Sequence, residues 1–448
     1  MRGWFRTCPA LRESEIGDLS KAKVTLERTG GIMKRIIFLW FVTAVVVTGF
    51  CISAMGQDDY WTPAGAPLTD EGKMKTLDQV EPRTPIINLP FTISNPGSYY
   101  LIHSLNGLAG SNGIIIAASE VQLDMNGFGL FGGSNSMHGI YIPPAEGPGP
   151  PGGKQSSISI RNGAVIEWGG WGINATNACQ SEFINMKAMM NQGRGIHVGQ
   201  SCLLDQCVAG NNVMGGIVTD LDGTITDCKA NKNGGNGIEA GPGNRVSGCT
   251  TVQNGMDGIK TGDGTTIIDC KSFENTQDGI ECDNAGRISG GTAVGNGNSG
   301  IKVKTYCIVN ECMTAFNTNN GIVAECSCLI TDNLCGNNGK GAGSSGSAIV
   351  VLNAGNRIEN NNLTANYNGI EVKGEGNWIA NNTAIDNEHY GIIVTNGNNM
   401  VVCNAAGSHI FSSTNFVITE NNQYGAIRPH SNGYFTSTNA WANFTIIP

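Results

Sequence analysis

Asp257 and Asp278 lie 21 residues apart in this 448-residue chain, and Lys260 and Glu281 repeat the offset three residues later. If successive repeats stack as neighbouring strands, equivalent residues come within about 5 Å of each other. Two carboxylates that close push one pKa upward, and a raised carboxylic acid beside an ionised one is the arrangement used in glycoside hydrolysis. Two plainer readings fit the same residues. Glu239, Lys260, Glu281 and Lys302 alternate in sign like a solvated ion-pair ladder, each exposed pair worth about 0–1 kcal/mol. Asp257 and Asp278 also occupy a turn phase where Asn is frequent.

A second group sits earlier in the chain. His138, Trp171 and Arg194 each precede a Gly-Ile pair, and Tyr141 and His197 each follow such a glycine by two residues. Aromatic rings among hydrogen-bonding neighbours suit the apolar faces and hydroxyls of sugars. Tyr141, Arg194 and His197 could instead serve a lyase, with a basic group removing a proton beside a carboxylate. Packing of a coil end is the alternative for the whole group. Asp220 and Asp222 in "TDLDG" could hold calcium or simply form a turn; no other cofactor is expected.

These residues need a scaffold that repeats. Gly-Ile recurs at 113, 139, 172, 195, 216, 237, 258, 279, 300, 321, 369 and 391, with Ala348-Ile349 standing in once, and the seven starts from Gly195 to Gly321 are spaced by 21 without exception. Units such as "TITDCKA" (Thr224–Ala230) read as short strands between Gly, Asn and Asp turns. A 21-residue unit cannot bury its own apolar face, so it must stack on its neighbours as one turn of a coil.

Stacking turns sequence phases into columns. Twelve residues after each glycine stand Cys207, Cys228, Cys249, Cys270 and Cys312, with Gly291 and Asn333 in the same phase and Asn361, Asn382 and Cys403 after a seven-residue insertion. Ile225, Val246, Ile267, Ile288 and Val309 flank that column on the inside. A second column is asparagine throughout: 191, 212, 233, 254, 275, 296, 317 and 338. Buried Asn at a bend can donate to and accept from the next coil's backbone, so both columns are expected to be structural. A row of one thiol per turn does not converge as a metal site requires. Cys179 with Cys202, and Cys307 with Cys328, share a phase on adjacent coils and are candidate lateral disulfides, although strand spacing is slightly wide for one.

The pattern GI…I/V-x-x-C/N-x-A-x-x-N, over roughly Gly113 to Ala405, resembles the right-handed parallel β-helix repeat of the pectate lyase-like superfamily, asparagine ladder included. The resemblance implies an all-β, single-stranded right-handed parallel β-helix of about 13 coils. It also implies an exported protein acting on polysaccharide as a lyase or hydrolase, or else a non-catalytic glycan- or surface-binding or structural periplasmic coil. The chain departs from the superfamily's enzymes in lacking Asn-Thr-Asp, Gly-His-Gly and Asp-Pro-His motifs, the nearest approach being "MHGI" at Met137–Ile140. That leaves the enzyme assignment open.

Met33-Lys34-Arg35 followed by "IIFLWFVTAVVVTGFCISAMG" reads as a secretory signal over 33–56, with a membrane anchor as the alternative. Residues 1–32 are then an upstream extension expected not to be made, with Met33 the start. Next come a lead-in and N-terminal cap (57–95), the β-helix (96–407) and a C-terminal cap (408–448), and the Pro/Gly-rich "PPAEGPGPPGGKQ" projects as a loop where binding tends to reside. Residues 1–56 hold 8 Lys/Arg and 4 Asp/Glu; the remainder carries 19 basic and 32 acidic residues, net −13. That balance excludes nucleic acid as the main partner, since phosphate binding needs a basic footprint. The expected product is secreted or periplasmic, off the membrane once the signal is cleaved, and partnered by polysaccharide. Its oligomeric state is not fixed by these features.

Overall fold

The computed structural model describes residues 83–446 apart from 134, 146–152, 342, 344, 408, 410–413 and 430–436. The expected upstream extension, signal and first part of the lead-in lie outside the described residues, as does the tip of the Pro/Gly loop.

Each coil carries three short parallel strands. In one coil they are Ile238–Ala240, Arg245–Ser247 and Thr250–Val252, and each pairs in register with the strand 21 residues on. The first strand of each coil joins a 15-stranded sheet and the others a 30-stranded sheet, except that Gln155–Ser156 and Ala178–Cys179 pair only with each other, and no α-helix occurs among the described residues. The architecture is the right-handed parallel β-helix that the resemblance implies.

The turn count is fifteen rather than about 13. Two strands outside the Gly-Ile series account for the difference. Phe91–Ile93 pairs with Ile114–Ile116, and Phe416–Ile418 pairs with Ile392–Val394. Paired strands therefore begin at Thr84–Ile86, inside the expected lead-in, and continue past residue 407 to Asn443–Ile446. Phe91-Thr92-Ile93 keeps the apolar-polar-apolar alternation and Phe416-Val417-Ile418 is apolar throughout, so a rung forms without the Gly-Ile signature.

Bends come from left-handed residues. In one coil Asp222, Asp227 and Lys232 have φ of 56°, 52° and 55°. The residue after each bend points inward, which makes three interior columns instead of two. The asparagine column is a hydrogen-bonded ladder. Asn212 Nδ2 donates to Asn233 Oδ1 at 2.9 Å and to Ala188 O at 3.0 Å, while its backbone N–H donates to the same Asn233 oxygen at 3.2 Å. The cysteine column imitates this weakly: Cys207 N–H donates to Cys228 Sγ at 3.3 Å, and the thiols donate to carbonyls of the preceding coil. Where the column reaches Asn333 the amide takes over, accepting from Cys312 N–H at 2.9 Å.

Cys403 does not belong to this column. The coil from Gly369 to Gly391 has 22 residues, so Asn404 takes the interior place, accepting from Asn382, and Cys403 falls on the bend with φ 57°. The third column holds Cys202, Cys307 and Cys328; Cys179 falls outside it, because the coil from Gly172 to Gly195 has 23 residues and Ser181 takes the place opposite Cys202 while Cys179 pairs with Ser156. All thirteen cysteines from Cys179 onward are free thiols, so neither lateral disulfide is formed. Cys307 and Cys328 instead donate to Asp283 O at 2.9 Å and Lys304 O at 3.0 Å. Burial pushes Cys202 up to about 11 and Cys312 and Cys335 up to about 12, so these thiols stay protonated and inert.

The core is a stack of isoleucines, Ile196 to Ile322 at every 21st step, all fully buried. Each such side chain stabilises the coil by roughly 1.5–3 kcal/mol. The glycine ahead of it is required by closeness: a Cβ on Gly237 would stand 2.6 Å from both Gly258 O and Asn254 Nδ2.

Candidate functional site

Residues that flank the first strand of each coil form the outward face of the 15-stranded sheet. There a groove of about 480 Å³ takes Arg194 and His197 from the early group and Lys260 from the later one, and no other member of either group. It runs from the coil of Gly195 to that of Gly258, three steps or about 14 Å at the strand spacing. Val218 and Pro242 give it apolar surface, its walls carry Arg194, His197, Asp220, Glu239 and Lys260, and Asp283 of the next coil closes its far end. Val218 is the short residue in a column otherwise holding His197, Glu239 and Lys260. That dip opens the groove.

The early group forms a ring column along the coil axis. His138 lies 5.5 Å from Tyr141 and 5.7 Å from Trp171, and Trp171 stacks on His197 at 5.3 Å and 26°. Arg194 caps Trp171 at 5.6 Å. Trp171 does not line the groove; it is half-buried, with His197 stacked on it and Arg194 over its ring. His138 Nδ1 accepts from Trp171 N–H at 3.0 Å, and its Nε2 stands 3.2 Å from Asn174 Nδ2. Burial lowers the His138 pKa and keeps it neutral.

His197 links this column to the groove. Its Nδ1 stands 2.9 Å from Arg194 Nη1, a donor only, so Nε2–H is directed at Asp220 Oδ1 at 3.3 Å. That hydrogen bond, with the nearby Lys154 and Arg194 charges, holds Asp220 below the usual carboxylate range in spite of its partial burial. Lys154, at the base of the Pro/Gly loop, reaches Asp220 Oδ2 at 3.8 Å. Arg194 crosses Val218 to Glu239 at 3.6 Å. Asp220, read from sequence only as a calcium or turn residue, is therefore His197's partner; its place four residues after Gly216 carries no repeating signal. Asp222 is a bend residue.

At the far end Lys260 reaches the groove but Asp257, Asp278 and Glu281 do not line it. The two aspartates are 1% and 4% exposed, Glu281 7%. Asp257 Oδ1 accepts Asp278 N–H at 3.0 Å, Asp278 Oδ1 accepts Ser299 N–H at 2.8 Å, and Asn236 does the same for Asp257 at 3.1 Å. The aspartates thus act as a turn ladder. Their remaining oxygens face Lys260 at 3.8 Å and Lys302 at 4.0 Å, and Glu281 binds both lysines at 2.8 and 3.1 Å. Burial, aided by Glu281 and Asp278, raises Asp257 to about 6, and burial also raises Asp278. Burial would raise Glu281 too, but hydrogen bonds from Lys260 and Lys302 outweigh it and hold Glu281 at about 2. The three carboxylates offer oxygens within 4.8 Å of one another. Two ammonium groups already neutralise them where a cation would sit.

A pH prediction follows from this cluster. Because Asp257's pKa is raised on folding, its contribution to stability is full below about 3.8 and is lost as pH rises through about 6. Asp257→Asn keeps the turn acceptor, as Asn236 demonstrates, and removes the buried charge. The variant is expected to match the parent at pH 3.5 and to exceed it at pH 8 by about 1 kcal/mol or more. Thermal melts at the two pH values check this; a variant less stable at pH 8 would refute it.

Comparison with known proteins gives no matching family model and no matching curated protein. Among solved structures, the Azotobacter vinelandii mannuronan C-5 epimerase AlgE4 A-module is similar at TM-score 0.42 and 15% identity, covering 73% of this chain and 90% of that one. A Siphovirus 9NA tailspike receptor-binding domain matches at TM-score 0.42 and 9% identity, covering 80% and 73%. A GH87 alpha-1,3-glucanase catalytic unit from Streptomyces thermodiastaticus matches at 0.33 and 12%, covering 80% and 62%. Likenesses this distant carry no argument about the activity of this chain. By its own topology it is a right-handed parallel β-helix with a polar-walled groove across four coils.

Proposed function

We infer that the protein is an exported, secreted or periplasmic β-helix that binds a glycan chain along this groove. One observation carries the reading: an apolar floor bordered by hydrogen-bonding side chains over about 14 Å, long enough for about three sugar rings. Arg194, His197, Asp220, Glu239 and Lys260 meet hydroxyls, and Val218 and Pro242 lie under the ring faces. Calorimetry against a panel of neutral, acidic and amino oligosaccharides tests it. Glu239→Ala and Asp220→Ala should each weaken the best ligand about tenfold, or 1.4 kcal/mol. The reading fails if no glycan binds.

Glycan cleavage is a second reading, favoured by the divergent pKa values of Asp257 and Glu281, a raised acid beside an ionised partner. It requires Lys260 to swing aside, because Asp257 lies behind it. Reducing ends distinguish a hydrolase and ultraviolet absorbance of unsaturated products a lyase. Under this reading Asp257→Asn and Asp278→Asn abolish turnover and spare binding; full activity in both would place catalysis elsewhere.

A further inference from the structure

We propose that the groove selects a glycan carrying free amino groups, which rests on the glycan-binding reading above and narrows it. The argument is the pairing of charges. Every cation at the groove is already matched by a carboxylate: Lys154 with Asp220 at 3.8 Å, Arg194 with Glu239 at 3.6 Å, Lys260 with Glu281 at 2.8 Å and Lys304 with Asp283 at 2.6 Å. An acidic sugar would have to break one of these pairs and then sit against the carboxylate it displaced. Like-charge contact of that kind costs affinity.

An ammonium group meets the opposite situation. The Glu239 and Asp220 side chains are 42% and 38% exposed, more than their partners Arg194 at 25% and Lys154 at 19%. Their pairs are also the longest of the four, so both carboxylates keep lone pairs open to the groove. They lie on the coils starting at Gly216 and Gly237, which pair directly, and so present two anions along the line of a bound chain. The net charge of −13 beyond residue 56 adds a long-range pull on a polycation.

The test uses a glucosamine hexamer, its fully N-acetylated form and an oligogalacturonate of equal length, titrated by calorimetry at pH 5.5. The amino hexamer is expected to bind at least about tenfold tighter than the N-acetylated one at low salt, with the gap shrinking in 0.5 M salt as screening shortens the charge interaction. The oligogalacturonate is expected not to bind. Glu239→Gln and Asp220→Asn, both at half-exposed positions and checked for folding by circular dichroism, should each reduce the preference several-fold. Equal or tighter binding of the N-acetylated hexamer, tightest binding of the galacturonate, or an undiminished preference in both variants overturns the proposal. Binding of none of the three overturns the glycan-binding reading itself.

Discussion

Asn254→Ala is expected to lower stability by about 3–5 kcal/mol, far more than its volume would suggest. Asn254 Oδ1 accepts from both the backbone N–H and Nδ2 of Asn233 at 3.0 Å, and its own Nδ2 donates to Ala230 O and Asn275 Oδ1 at 2.9 Å. Removing the amide leaves donors and acceptors on two neighbouring coils buried without partners, each costing about 1–3 kcal/mol. Cys249→Ala is the control one column away. Cys249 Sγ reaches Ser247 O at 3.3 Å and Ile225 O at 3.6 Å, weak bonds from a weak donor, so its loss should cost about 1–2 kcal/mol. Because coils couple chiefly to their neighbours, amide exchange should accelerate most in the coils of Gly216 to Gly258. Equal losses for the two variants in urea unfolding would show that the ladder adds no more than side-chain volume.

The contrast between those two columns marks what could be read from the sequence. Repetition exposes anything that recurs, so the coil, the isoleucine stack and the asparagine ladder were all legible from 21-residue spacing. Position along a column is also legible while the spacing holds; one extra residue between Gly369 and Gly391 was enough to move Cys403 from the interior to a bend. The site was only half legible, because its members do not recur. Arg194, His197 and Lys260 were found through their columns and do line the groove. Asp220 reads from the sequence only as a calcium or turn residue and the dip at Val218 not at all, since their importance lies in being unlike the residues above and below. Asp257 and Asp278 show the converse. Their types suggested acid–base chemistry, but their phase is that of a turn acceptor, and the backbone claimed one oxygen of each. The raised pKa values are the result of that burial.

Trp168→Ala is expected to cost about 3–5 kcal/mol, as large-to-small changes in a packed core do, and it separates the ring column from the groove. The indole is fully buried, its Nε1 donates to Leu130 O at 3.1 Å, and its backbone N–H donates to Asn191 Oδ1 at 3.0 Å at the head of the asparagine ladder. It fills space left by glycines: a Cβ on Gly107, Gly113 or Gly139 would fall 2.4, 2.7 or 3.0 Å from it. Emptying that space loosens the coil that carries His138 and Tyr141, the outer end of the ring column. The groove begins two coils further on, between Arg194 and Lys260, and should keep its shape. Calorimetric melting is therefore expected to fall by many degrees while glycan affinity, measured well below the melting range, stays within about threefold of the parent. If affinity collapses while circular dichroism stays native, the rings from Tyr141 to Trp171 hold the glycan, and the groove walls do not.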